Sequence, residues 1–180
     1  ASRKKGFKGT NDADFTRQTV FMNDIDNKKA DIPQETPANI AARLAKHNLK
    51  PAFVYETFNS TAQQVRFRYA LVCNEEITDR AERDRIQGAI IAMSGQADTD
   101  CINADRIFFG TDKGLLEEYT DFEAVCSKAD LLALADVYKL PEQPKQAAKG
   151  ATADKLKIGD VIPVGERNKT LASAALSLLK

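Results

Sequence analysis

The spacing of apolar and polar residues along the chain predicts a series of short elements. From Thr19 to Asn27, TVFMNDIDN, strand-forming apolar residues lead into two carboxylates one residue apart, Asp24 and Asp26, and predict a strand over 19–26. In ETPANIAARLAKHN, Thr36 is placed to cap a helix, Pro37 stands at its first position, and Ile40, Ala41 and Leu44 share one face. That helix is expected to end near Asn48. KPAFVYETF reads as a strand, and VRFRYALVC as another, with Val65, Phe67, Tyr69 and Leu71 on one face and Arg66, Arg68, Ala70 and Val72 on the other. Joined by NSTAQQ, the two predict a β-hairpin.

TDRAERDRIQGAIIAMSG opens with a cap at Thr78, sets acids in its first turn and closes on Gly95, so a helix is expected. RIFFG at 106–110 reads as a short strand, and DFEAVCSKADLLALADVYKL as a helix reaching Leu140. Strands and helices mix without the regular βαβ alternation and glycine-rich turns of a dinucleotide fold. The predicted class is therefore α+β with a mainly antiparallel sheet. PEQPKQAAKGATADKLK has two prolines and no apolar period, which marks 141–157 as a linker. A second unit is expected over 158–180, with a helix from about Thr170 that runs into the final residue, the pattern of a domain that continues in a longer protein.

Composition narrows the setting. At 180 residues and 43% hydrophobic, the chain can bury an ordinary core. No apolar run approaches the roughly 20 residues that cross a bilayer, and the N-terminus lacks the apolar segment of a secretory signal, so a cytoplasmic protein with no membrane partner is expected. Cys73, Cys101 and Cys126 form no CxxC pair and read as reduced core thiols. The 26 basic and 26 acidic residues cancel, so any contact with nucleic acid has to use local patches such as SRKKGFK at the start or RFR at 66–68.

Residues i and i+2 of a strand project from one face, so Asp24 and Asp26 aim their carboxylates at one region. Without a divalent cation or a pair of cationic side chains, two such acids repel each other. An all-oxygen donor set favours Mg²⁺ or Mn²⁺. Alternatively, the strand stops at Asp24 and both acids cap a turn, with Asn27, Lys28 and Lys29 as solvated neighbours. A second acidic cluster, Asp98, Asp100 and Asp105, precedes Arg106 in ADTDCINADRIFFG. One of its acids can complete a metal shell and Arg106 can hold a phosphate with its planar fork, or the aspartates can satisfy turn amides.

Four segments in order, FMNDIDN, VYETFNSTAQQVRFRYALV, ADTDCINADRIFFG and VGERNKTLASAALSLLK, together resemble a primase-polymerase of the archaeo-eukaryotic primase superfamily, of the type found in plasmids, phages and integrated elements. The first three cover a catalytic core over 1–140, with an N-terminal module shorter than usual. The fourth resembles the start of the helical primase C-terminal domain through Gly165, Glu166, Arg167, Asn168, Thr170 and Leu171. The resemblance implies an RRM-like core and a D-x-D metal pair at Asp24 and Asp26. It places the third metal ligand at Asp98, with Asp100 as second choice. The family's S-x-H motif is replaced by TFNST, with Ser60 near the histidine position. Ser60, Thr61, Arg68 and Arg106 are the implied nucleotide contacts, and Lys8, Tyr55 and Arg66 the template contacts. His47, the sole histidine, reads instead as a helix-end residue that caps carbonyls.

The implied activity is DNA-dependent primer synthesis or strand extension on single-stranded DNA from nucleoside triphosphates, by two-metal nucleotidyl transfer with Mg²⁺ or Mn²⁺, beside a replicative helicase domain or protein. Two other readings use the same residues: an inactive replication-initiation module that binds DNA, and a metal-dependent nuclease. On charge repulsion alone, replacing Asp24 and Asp26 by asparagine is expected to leave folding intact or slightly improved.

Overall fold

The computed structural model describes residues 15–140. Lys8, the predicted linker at 141–157 and the helical segment at 158–180 lie outside the described residues. The elements run β1 (Gln18–Ile25), α1 (Pro37–Ala45), β2 (Phe53–Glu56), β3 (Phe67–Ile77), α2 (Arg80–Ser94) and α3 (Lys128–Val137), with 3-10 turns at Thr99–Ile102 and Glu117–Tyr119. The class is α+β, and the three-stranded sheet is antiparallel in the order β1–β3–β2. The β2–β3 hairpin is the one the alternating pattern predicts. Among the described residues no helix is long and apolar enough to cross a membrane.

Strand alternation divides the sheet into two unlike faces. Phe21, Asn23 and Ile25 of β1 and Phe67, Tyr69 and Leu71 of β3 are all fully buried at 0% exposure. They belong to the face that α2 covers: Asn23 Nδ2 donates to Ser94 Oγ at 3.0 Å and to the Tyr69 hydroxyl at 3.1 Å, and Tyr69 and Ser94 bond each other at 2.9 Å. Each fully buried apolar side chain contributes about 1.5–3 kcal/mol, and the polar trio fixes how the helix sits. The opposite face carries two cross-strand rows, Met22–Ala70–Phe53 and Asp24–Arg68–Tyr55. The chemistry lies on this second face.

Helix α1 forms as its pattern predicts, with Thr36 Oγ1 accepting the Asn39 N–H at 3.1 Å and Pro37 first in the helix. Ile40 and Leu44 point into the core. Its regular turns end at Ala45, and Asn48 at φ 57° closes the turn that follows. The cap of α2 is Asp79 rather than Thr78: its Oδ1 accepts the Glu82 N–H at 2.8 Å, and a carboxylate is a strong partner for an unpaired helical N–H. At the far end Gly95 takes φ 63°, ψ −53°, and the Gln96 N–H returns to the Ser94 carbonyl at 2.6 Å. This γ-turn reverses the chain within one residue.

Two further predicted elements differ. Residues 106–110 are not a strand, because no sheet neighbour among the described residues pairs with them. Side chains take that role instead, with Arg68 Nη1 and the Tyr55 hydroxyl donating to the Phe109 carbonyl at 2.6 and 3.2 Å. The last helix begins at Lys128, capped by Ser127, and not at residue 121. Cys126 lies in an extended bridge beside Cys73, its N–H bonded to the Val72 carbonyl at 2.7 Å, so the preceding residues cannot be helical. All three cysteines are buried and free, and burial pushes the Cys101 thiol up to about 11.

Candidate functional site

The site forms where β1 runs on past the sheet. Ile25 bridges to Ala97, the Asp26 N–H reaches the Gln96 carbonyl at 3.4 Å, and the Asp98 N–H donates to the Asp24 carbonyl at 2.8 Å. The γ-turn at Gly95 makes this possible by directing the chain from the end of α2 back alongside β1. Asp24 and Asp98, far apart in sequence, become backbone neighbours.

Their side chains meet two arginines. Asp24 is 3% exposed, and its Oδ2 accepts from Arg68 Nη2 at 2.9 Å and from Arg106 Nη2 at 3.4 Å. Arg106 Nη2 also donates to Asp98 Oδ2 at 2.8 Å. Arg68 is the direct cross-strand partner of Asp24 on β3. Both guanidiniums make cation–π contact with the Phe108 ring, their central carbons 5.6 and 5.4 Å from its centroid. Asp26 pairs with Lys28 instead. The repulsion expected between neighbouring acids is therefore relieved by cationic side chains.

Burial alone would push Asp98 up, but the Asp100 N–H and the Arg106 charge outweigh it and hold the carboxyl below the usual aspartate range. Burial likewise works against the charge on Arg68 and Arg106; it is more than offset by Asp24 and Tyr55 around Arg68, and by Cys101, Asp98 and Asp24 around Arg106. Two atoms of the cluster are left over, Arg68 Nε and one carboxylate oxygen of Asp24. Asp24 Oδ1 is buried without a hydrogen-bond partner, which is costly for a carboxylate oxygen.

The other predicted residues divide clearly. Asp100 is exposed, and its N–H donates to Asp98 Oδ1, so of the two it is Asp98 that joins Asp24. Ser60 is buried, its hydroxyl accepting the Arg66 N–H at 3.0 Å, and Thr61 Oγ1 accepts the Gln64 N–H at 3.1 Å. Both hydroxyls thus serve the hairpin loop. Arg66 is half-buried and donates to Gln64 Oε1 at 2.8 Å. Tyr55 is 8% exposed, and its hydroxyl donates to the Phe109 carbonyl at 3.2 Å. His47 stands just past α1 with its ring edge-on to Tyr138 at 5.7 Å.

Sequence reasoning missed the amides that hold the site. Asn27, read as a solvated neighbour, is 5% exposed at φ 50° and bonds the Glu35 N–H, the Glu35 carbonyl and the Val65 carbonyl. Gln96 donates to the carbonyls of Lys29, Ile32 and Pro33, and Gln64 to those of Asp26 and Asn27. Arg83, 2% exposed, bonds Gln18 and the Ile102 carbonyl, fixing the 3-10 turn that follows Asp98. Only the density of Asn and Gln near the acids offered a signal.

Asp26 and Asp98 line one small cavity of about 180 Å³ together with Lys28 and Gln96. Among the described residues no three His, Cys, Asp or Glu side chains form a ready-made metal cage. The donor chemistry of Asp24 and Asp98 nevertheless suits a hard divalent cation, since the unpartnered Asp24 oxygen and the neighbouring Asp98 carboxylate offer oxygen ligands only, while Asp26 is paired with Lys28. No family model, curated protein or solved structure matches the chain.

Proposed function

We propose that the chain is a DNA-dependent primase-polymerase of the archaeo-eukaryotic primase superfamily, making primers or extending strands on single-stranded DNA in the replication of a plasmid, phage or integrated element. The antiparallel sheet, with α2 on one face and charge chemistry on the other, supports reading the core as RRM-like. One observation carries the proposal: Asp24, Asp98, Arg68 and Arg106, from distant segments, close on one another around a buried carboxylate oxygen that has no partner. Burying an unpaired carboxylate oxygen is costly, and a bound cation would complete it.

In this reading Asp24, Asp26 and Asp98 hold Mg²⁺ or Mn²⁺. The bound ions supply a lowered pKa for the attacking hydroxyl and charge compensation for a triphosphate. Arg68 and Arg106, both in contact with Phe108, present planar forks to phosphate oxygens. Both stay charged at any physiological pH, so their attraction for an anion is constant. A 3′-hydroxyl bonds to the α-phosphorus of a nucleoside triphosphate while the bond to pyrophosphate breaks. Lys28, paired with Asp26, adds a third cation at the rim.

Labelled-nucleotide incorporation on single-stranded DNA with Mg²⁺ or Mn²⁺ tests the reading. Asp26→Asn, which removes one proposed ligand, is expected to abolish incorporation; undiminished activity in that variant sinks the metal assignment. One observation favours a second reading, an inactive replication-initiation module. Ser60, at the position of the family's histidine, is buried and its hydroxyl is engaged with a backbone N–H. That reading predicts DNA binding with no incorporation and no strand cleavage, whereas cleavage without nucleoside triphosphates would identify a nuclease.

A further inference from the structure

The sheet face that bears Asp24 and Arg68 also bears a cavity of about 460 Å³, within the range of small-molecule sites. Its walls come from Met22 on β1, Phe53 and Tyr55 on β2, and Phe108, Leu115 and Phe122 from the segment after α2. Large apolar side chains stand at its mouth, with Phe122 67% and Leu115 43% exposed. The rim is open at Gly110 and Gly114, where an added Cβ would meet nothing within 4 Å. Exposed apolar hollows mark interaction sites, and aromatic walls suit a flat ring.

The hollow is joined to the charged cluster by shared residues. Phe108 lines the cavity and also lies under the guanidiniums of Arg68 and Arg106. Tyr55 lines it too, is the cross-strand neighbour of Arg68, and donates to the same Phe109 carbonyl as Arg68 does. A ligand that suits both ends has a flat apolar ring at one and an anion at the other.

We propose that this cavity is a nucleobase pocket, taking one planar heteroaromatic ring whose phosphate reaches Arg68 and Arg106. The inference rests on the function proposed above only for its phosphate end. Polar side chains on the walls are few: the Tyr55 hydroxyl donates to the Phe109 carbonyl, and Thr111 Oγ1 accepts the Lys113 N–H at 3.2 Å. The pocket therefore grips a ring by its faces rather than reading its edge, and it accepts purines and pyrimidines alike. The ring can belong to a free nucleotide or to a nucleotide within a strand.

The two methionines of the chain provide the test. Met22 lines the cavity, whereas Met93 is buried in the core at 2% exposure and serves as an internal reference. In the full chain labelled with ¹³C-methyl methionine, a stacked base is expected to move the Met22 resonance and leave Met93 in place. ATP is added in one arm, inorganic tripolyphosphate in a second and oligothymidylate in a third. Movement with ATP alone assigns the pocket to a free nucleotide, and movement with oligothymidylate alone to a strand; either supports the proposal. Phe122→Ala, at an exposed position, is expected to weaken binding of the active probe about tenfold and leave tripolyphosphate binding unchanged. A Met22 signal that ignores both base-bearing probes, or that tripolyphosphate moves equally, overturns the pocket. Movement of Met22 in a protein that incorporates nothing removes the polymerase reading and keeps the pocket; incorporation with Met22 unmoved does the reverse.

Discussion

The Asp98 N–H donates to the Asp24 carbonyl at 2.8 Å, and the Arg106 guanidinium then spans both carboxylates, at 2.8 Å to Asp98 and 3.4 Å to Asp24. Backbone and side chains thus join the same two residues. A change at one of them is felt at the other, which makes the acids unequal in what their loss does.

Asp24→Asn is expected to destabilise the fold. The repulsion argument predicts the opposite, but Asp24 Oδ2 compensates two partly buried arginines and its neutralisation leaves them facing each other. A loss of about 2–3 kcal/mol is expected, below the cost of deleting a fully buried partner because asparagine keeps one acceptor. Asp26→Asn loses only a contact with Lys28, whose side chain is 62% exposed, and is expected to stay within about 0.5 kcal/mol of wild type. Urea unfolding of both variants measures the contrast; equal losses would remove the distinction.

The lowered pKa of Asp98 gives a dependence on pH with a definite sign. A carboxyl depressed in the folded state contributes stability above its unfolded value of about 3.9 and loses it as pH falls through the lower folded value. Wild type is expected to exceed Asp98→Asn by about 0.5–1 kcal/mol at pH 7, a figure kept small by solvent screening, and the gap is expected to close as pH falls below the ordinary aspartate range. A gap that persists in acid would trace to packing instead.

The legible parts of the chain were those in which local chemistry decides the outcome. Thr36–Pro37 set the start of α1, and the alternation from Phe67 to Leu71 set β3 with its buried face. The residues brought together at the site were legible as candidates, Asp24, Asp98, Arg68 and Arg106 among them, but not their pairing, which depends on a long-range crossing of β1 by the segment after α2. RIFFG misled because strand propensity is context-dependent, and its carbonyls found side-chain donors where a strand would need a neighbour. Asn27 gave no periodic signal at all, since its three hydrogen bonds go to residues that only the fold brings near.

Gly95→Ala tests whether the γ-turn is what delivers Asp98 to Asp24. Contact is not the obstacle, as the nearest atom to an added Cβ is Glu35 Oε1 at 3.6 Å. The strain lies in the backbone, because φ 63° with ψ −53° is open to glycine and costs an L-residue about 1–3 kcal/mol. The chain is expected to relax by shifting the 96–98 segment, so a lower midpoint should come with faster amide exchange at Asp98. Loss of stability with Asp98 still protected would mean that the turn and the crossing are independent.

Mn²⁺ titration followed by thermal unfolding examines the unpartnered oxygen directly. If Asp24 Oδ1 accepts a cation, the metal stabilises the folded chain by about 2.7 kcal/mol at a concentration of 100 Kd, and EDTA reverses the effect. Asp24→Asn is expected to abolish that increment, and an equal increment in the variant would place the metal elsewhere. Arg106→Ala is the more informative partner, because Arg106 occupies both acids in the absence of metal. Its removal costs stability without metal, yet it withdraws a competing charge from Asp24 and Asp98. The variant is therefore expected to gain more from Mn²⁺ than wild type does, with its apparent Kd lowered. An unchanged or weakened response would mean that the guanidinium and the metal do not contend for the same carboxylates, and that Arg106 serves only to hold Asp98 against β1.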